Sequence, residues 1–182
     1  MKSAKSIRMV RERGRHFMMT VTVLLLFICI TSESYSQVDN ADFTGTWVIN
    51  ESISAPSQGN LRTAADKIVI NQDSINLSVE TTRSGGLSGQ LVTNDKFTID
   101  GNECVNTMIG GNTRKSTVKW GSDGKSLLFS HYMKFDMQGE TREITSGEKW
   151  KINDAGDILT VETSLRSPSG EAKTTSVYER EK

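Results

Sequence analysis

The chain is poor in the residues that most often carry chemistry or cross-links, with two histidines, two cysteines and two prolines in 182 residues. His16 and Cys29 belong to an amino-terminal segment, so without it only His131 and Cys104 remain. A single cysteine excludes an intramolecular disulfide and leaves stability to packing. Cys104 reads as a small buried apolar side chain before a reactive thiol. A single histidine excludes a multi-histidine metal site and leaves little for a Ser-His-Asp arrangement. For His131 a packed or hydrogen-bonded core position comes first, with proton transfer as the alternative. Gly85-Gly86 and Gly110-Gly111 lack a following strand-to-helix junction, so they are turn glycines and not phosphate loops. No cofactor and no metal is implied, and no segment after residue 36 keeps helical periodicity over three turns.

The longest apolar run is also short. Residues 17–30 form about 14 residues broken by Thr20 and Thr22, below the roughly 20 that a spanning helix needs. Lys2, Lys5, Arg8, Arg11, Arg13 and Arg15 precede it, and Ser34 and Ser36 place small residues at the −3 and −1 positions before Gln37. That is the anatomy of a secretory signal peptide over residues 1–36, with an uncleaved anchor as the alternative. Ile28, a large residue before Cys29, argues against lipidation. The expected mature chain, 37–182, is exported to a periplasmic or extracellular space and has no membrane contact. Residues 1–36 hold six of the 22 Lys/Arg and two of the 22 Asp/Glu, so 16 basic and 20 acidic residues remain. A net charge near −4 argues against nucleic acid. Asn50-Glu51-Ser52 and Asn76-Leu77-Ser78 match glycosylation sequons, a pattern frequent by chance.

What is present is a rhythm of short alternating runs separated by turn residues. Strands are expected near 43–50, 67–72, 75–83, 90–99, 103–107, 113–120, 126–136, 140–152, 158–166 and 172–180. Asp100-Gly101 reads as a two-residue hairpin, and 121–124, 138–139, 153–156 and 167–170 supply the other turns. Residues 51–66, with Pro56 and Gly59, read as a loop in which 61–65 could make one helical turn. Lys119-Trp120 and Lys149-Trp150 begin similar hairpins, an echo explained by one sheet needing the same parts twice. The predicted fold is all-β: an antiparallel meander of about ten strands, closed or nearly closed into a barrel to remove its exposed edges.

Alternation then assigns faces. Phe43 and Trp47 point inward with Gly45 between them. The inward sets elsewhere are Ile75, Leu77, Val79, Thr81 and Arg83; Arg114, Ser116, Val118 and Trp120; Leu127, Phe129, His131, Met133 and Phe135; and Arg142, Ile144, Ser146, Glu148, Trp150 and Ile152. Counting strands up and down puts Arg83, Arg114 and Arg142 at one end of the barrel. Trp120 and Trp150 fall at the other end, beside Trp47. Buried guanidinium groups need water, a carboxylate or a ligand, and Glu148 is the internal carboxylate placed to pair with them. Arginines reaching to the rim, or paired there with acids, are the plain alternative to a basic pocket. The 51–66 loop would then cover the arginine end.

Phe43-x-Gly45-x-Trp47 at the start of an all-β chain resembles the opening motif of the calycin superfamily, the lipocalins and fatty-acid-binding proteins. That resemblance implies a barrel whose base is closed by Trp47, with an arginine near the end of the chain, Arg180, packed across it. The ending Val177-Tyr178-Glu179 and the ten-strand count resemble the fatty-acid-binding branch. The Arg-x-Tyr that holds a carboxylate there is Ser176-Val177-Tyr178 here, so only Tyr178 matches. The helical lid of that branch is missing or reduced to 51–66. The expected function is non-enzymatic binding of a small, partly apolar, acidic molecule in the lumen. Arg83, Arg114 and Arg142 would hold its charge, and Phe129, Met133 and Phe135 its apolar part, with His131, Glu148 and Tyr178 completing the wall. The alternative is an interaction module with a filled barrel that binds a protein or glycan through its outer surface. An enzyme built on Glu148 and His131 is the weakest reading.

Overall fold

The computed structural model describes residues 40–55, 64–85, 89–108, 110–137, 139–167 and 170–182. The signal-peptide segment 1–36, Pro56, Gly59, residues 61–63 of the suggested helical turn, and Pro168 lie outside the described residues. Among those described there is no helix, and ten strands form one antiparallel sheet. They are β1 (Gly45–Ile49), β2 (Lys67–Gln72), β3 (Asn76–Ser84), β4 (Gln90–Thr98), β5 (Asp100–Thr107), β6 (Thr113–Trp120), β7 (Ser126–Met137), β8 (Glu140–Ile152), β9 (Ile158–Ser167) and β10 (Gly170–Arg180).

The order across the sheet is β4-β3-β2-β1-β10-β9-β8-β7-β6-β5. Two meanders, β1 to β4 and β5 to β10, are therefore joined where the first strand pairs with the last, Trp47 opposite Arg180 and Ile49 opposite Tyr178. The sheet curls until β4 meets β5, and there the ladder stops. Asp100-Gly101 is not the hairpin its composition suggested. The turn falls at Ile99, and no ladder joins the two strands that flank it. Side chains close the gap instead. The Asn106 amide accepts from the Lys96 N–H at 2.9 Å and donates to the Lys96 carbonyl at 2.9 Å, taking the place of a strand backbone. Cys104 Sγ accepts the Thr98 N–H at 3.2 Å. The barrel is nearly closed, with one seam.

One end is plugged by rings. Trp47 is fully buried and donates its indole N–H to the Phe43 carbonyl at 3.0 Å. The Arg180 guanidinium lies 4.4 Å from the Trp47 ring centre, donating from Nη1 to the Thr44 carbonyl (2.6 Å) and from Nε to the Gly156 carbonyl (2.7 Å). Cation–π attraction and two charge-assisted hydrogen bonds fix one planar group. Gly45 makes room for it: a Cβ there would sit 2.8 Å from Arg180 Nη1, on a backbone with φ of +146° that side chains rarely adopt. Leu127 pairs with Trp120 on one side and Trp150 on the other, and the Trp120 ring sits 6.1 Å from Phe43. All three tryptophans thus gather at this floor. Ile75, expected inward, is 54% exposed, because it belongs to the Asp73–Asn76 turn and not to β3.

A candidate ligand-binding cavity

Above the floor the inward side chains leave a cavity of about 140 Å³. Eight of the ten strands supply it, six of them through residues two apart, so the alternation that builds the sheet also builds the site. Arg83 and Thr81 come from β3, Asp95 and Phe97 from β4, Arg114 from β6, Phe129 and His131 from β7. Glu148 and Trp150 come from β8, Val161 and Thr163 from β9, Ser176 and Tyr178 from β10, with Ile68 from β2.

The polar groups are arranged by height along β7. Arg114 is level with Met133, Ser116 with His131, and Glu148 with Phe129, one inward step above Leu127 and the floor. At the upper level Arg114 Nη2 pairs with Asp95 Oδ2 at 2.6 Å, and its guanidinium lies 5.9 Å from the Phe97 ring centre. Its Nε is buried and has no hydrogen-bond partner among the described residues. Arg83 donates from Nη1 to Thr81 Oγ1 at 3.1 Å, and that hydroxyl meets Thr93 Oγ1 at 2.6 Å.

At the middle level Ser116 Oγ and His131 Nδ1 are 2.8 Å apart, both buried. Burial holds the His131 imidazole below its ordinary pKa; Glu148 pulls the other way, and Arg114 reinforces the depression. Lower still, Trp150 Nε1 donates to Glu148 Oε2 at 2.7 Å, while His131 Nε2 stands 3.8 Å from Glu148 Oε1, too far for a hydrogen bond. Rings surround these groups: Phe129 lies 4.6 Å from Trp150, 5.6 Å from Phe97 and 5.9 Å from His131.

Of the residues expected in the lumen, Arg83, Arg114, Phe129, His131, Glu148 and Tyr178 line this one cavity, and Trp150 serves both floor and wall. Arg142, Met133 and Phe135 do not line it. Beyond the Arg114–Met133 pair, β7 and β8 continue to Met137 and Glu140 without β6 beside them, so that stretch stands above the cavity. Arg142 is half-exposed there and faces Glu140 at 3.6 Å. Ser116 and His131 do not form a nucleophile pair: Ser116 is 2% exposed and absent from the cavity wall. Asp95 and Phe97 were missed. Asp95 shares its face of β4 with Phe97 two residues away, but the adjacent apolar pair Leu91-Val92 blurs that alternation in the sequence.

Burial also pushes the Tyr178 phenol up to about 12. An unfolded tyrosine ionises near 10, so the raised value contributes stability that is complete below pH 10. Between pH 10 and 12 it is lost at about 1.4 kcal/mol per pH unit. Ultraviolet titration of the phenolates should show a last step near pH 12 that is missing from Tyr178→Phe. A Tyr178 signal near pH 10 would contradict the burial.

No protein-family model matches the chain, and no curated protein matches it. Among solved structures, zebrafish ileal bile acid-binding protein complexed with cholic acid aligns with a TM-score of 0.48 and 15% identity. The alignment covers 76% of this chain and 98% of that one. In the chain itself, ten meandering strands curl until β4 meets β5, the first pairs with the last, and Arg180 lies across Trp47. The fold is a nearly closed antiparallel barrel of ten strands.

Proposed function

We propose that this barrel is an exported, non-enzymatic binding protein that holds a small, partly apolar carboxylic acid in its lumen. One observation carries the reading: the Arg83 and Arg114 guanidinium groups line a cavity that also holds Asp95, Glu148 and several rings and aliphatic side chains, and Arg114 Nε lacks an acceptor among the described residues. A buried donor without a partner is costly, and a carboxylate oxygen is the acceptor that suits it best. The cavity's size sets the scale of the ligand. At about 140 Å³ it compares with an engineered cavity of about 150 Å³ that takes benzene, so the ligand is one ring or its aliphatic equivalent with short substituents. Export rests on the basic start, the apolar run at 17–30 and the Ser34/Ser36 pair ahead of Gln37.

Native mass spectrometry of the protein recovered outside the cytoplasm of expressing cells tests both parts. The expected species begins at Gln37 and carries a small acid. Recovery of the protein only from the cytoplasm, at the mass of residues 1–182, would end the export reading. Failure of every small aromatic or aliphatic acid to bind the purified barrel would end the binding reading.

A further inference from the structure

Glu148 takes no part in holding the acid group. It lines the floor half of the cavity between Phe129 and Trp150, which are 5% and 4% exposed, yet its own side chain keeps 26%. A carboxylate has roughly four acceptor positions. Glu148 uses one, for the Trp150 N–H, and His131 Nε2 stops at 3.8 Å, beyond hydrogen-bond reach. Burial lowers the pKa of that imidazole, which works against its neutralising the carboxylate. A half-satisfied carboxylate among rings is unfavourable unless something else donates to it.

We propose that Glu148 is a second polar subsite of the lumen, accepting a hydrogen bond from a hydroxyl or ammonium at the far end of the ligand. This rests on the acid-binding reading and narrows it to small bifunctional molecules, with a carboxylate at the arginine level and a donor at the floor. The register separates the two poles by four residues of β7, about 13 Å between backbone levels, and the long arginine side chain shortens that span. A ring substituted at opposite ends fits between them, flanked by Phe97 and Phe129. The lining charges agree: Asp95 is engaged by Arg114, whereas among the described residues Glu148 forms no ion pair with a guanidinium.

Calorimetric titration of the intact barrel with phenylacetate, 4-hydroxyphenylacetate and 4-(aminomethyl)benzoate tests this. At least one of the two donor-bearing acids should bind about tenfold or more tighter than phenylacetate, the value of one well-made hydrogen bond to a buried charge. The preference should fall to about unity in Glu148→Ala. Glu148→Gln, which can still accept from Trp150 and so guards against misfolding, should keep a preference for the hydroxyl and lose one for the ammonium. Equal binding of all three acids to the wild-type barrel overturns the subsite and leaves the acid-binding reading standing, as does a preference that survives Glu148→Ala. Binding of none overturns both.

Discussion

Trp47→Ala should destabilise the barrel by about 3–5 kcal/mol, the range for removing a large buried ring. The side chain is fully buried, so truncation loses its transfer free energy and opens a void beneath Phe43. Two further losses follow from what the ring touches. The Phe43 carbonyl forfeits its indole donor, and the Arg180 guanidinium loses the surface it lies on. Relaxation is limited, because Nη1 and Nε of Arg180 remain tied to Thr44 and Gly156. Urea unfolding followed by circular dichroism reads the change. Trp47→Phe, which keeps a ring under Arg180 and lacks the N–H, should lose about 1–2 kcal/mol. A loss below about 1 kcal/mol in Trp47→Ala would show that the floor is not where stability resides.

The second large effect is expected at the pair that spans the seam. Arg114→Ala leaves the Asp95 carboxylate facing the lumen beside Phe97 with no cation at contact distance. Breaking a fully buried ion pair from one side costs about 3–5 kcal/mol. Here the side chains are 20% and 14% exposed, so water screens part of this and about 2–3 kcal/mol is expected. Asp95→Ala should cost a comparable amount, since the guanidinium then lacks its acceptor. The double variant should cost clearly less than the two together, because neither charge is stranded. The cycle is measured by urea unfolding at neutral pH. Strict additivity would mean that the contact holds nothing together.

Much of this architecture was legible in the sequence, for local reasons. Strand limits follow from alternation and turn residues, and nine of the ten predicted strands begin within two residues of the observed start. The floor was legible because Phe43, Trp47, Trp120 and Trp150 are large and their faces unambiguous. Three features were not. The seam was hidden because Asp100-Gly101 carries hairpin chemistry, and whether two neighbouring strands form a ladder depends on the curl of the whole sheet. Nothing local announces that the Asn106 amide replaces a backbone. Arg142 was misplaced because alternation gives sidedness and not height, and unequal strands leave it above the wall. Asp95 escaped notice because β4 opens with Leu91-Val92, two adjacent apolar residues, 38% and 49% exposed, that point to opposite faces and mask the period.

The strand order also bears on how the molecule is made. Trp47 and Arg180 are paired neighbours 133 residues apart, and no ladder links β1–β4 to β5–β10 before the carboxy-terminal strand exists. Until β10 is in place the two half-sheets keep open edges. Closure depends on contacts remote in sequence, which slows folding and prolongs exposure to other nascent chains. A chain stopped short of β10 would hold two unzipped halves, so the arginine that caps the tryptophan also marks the strand that joins them.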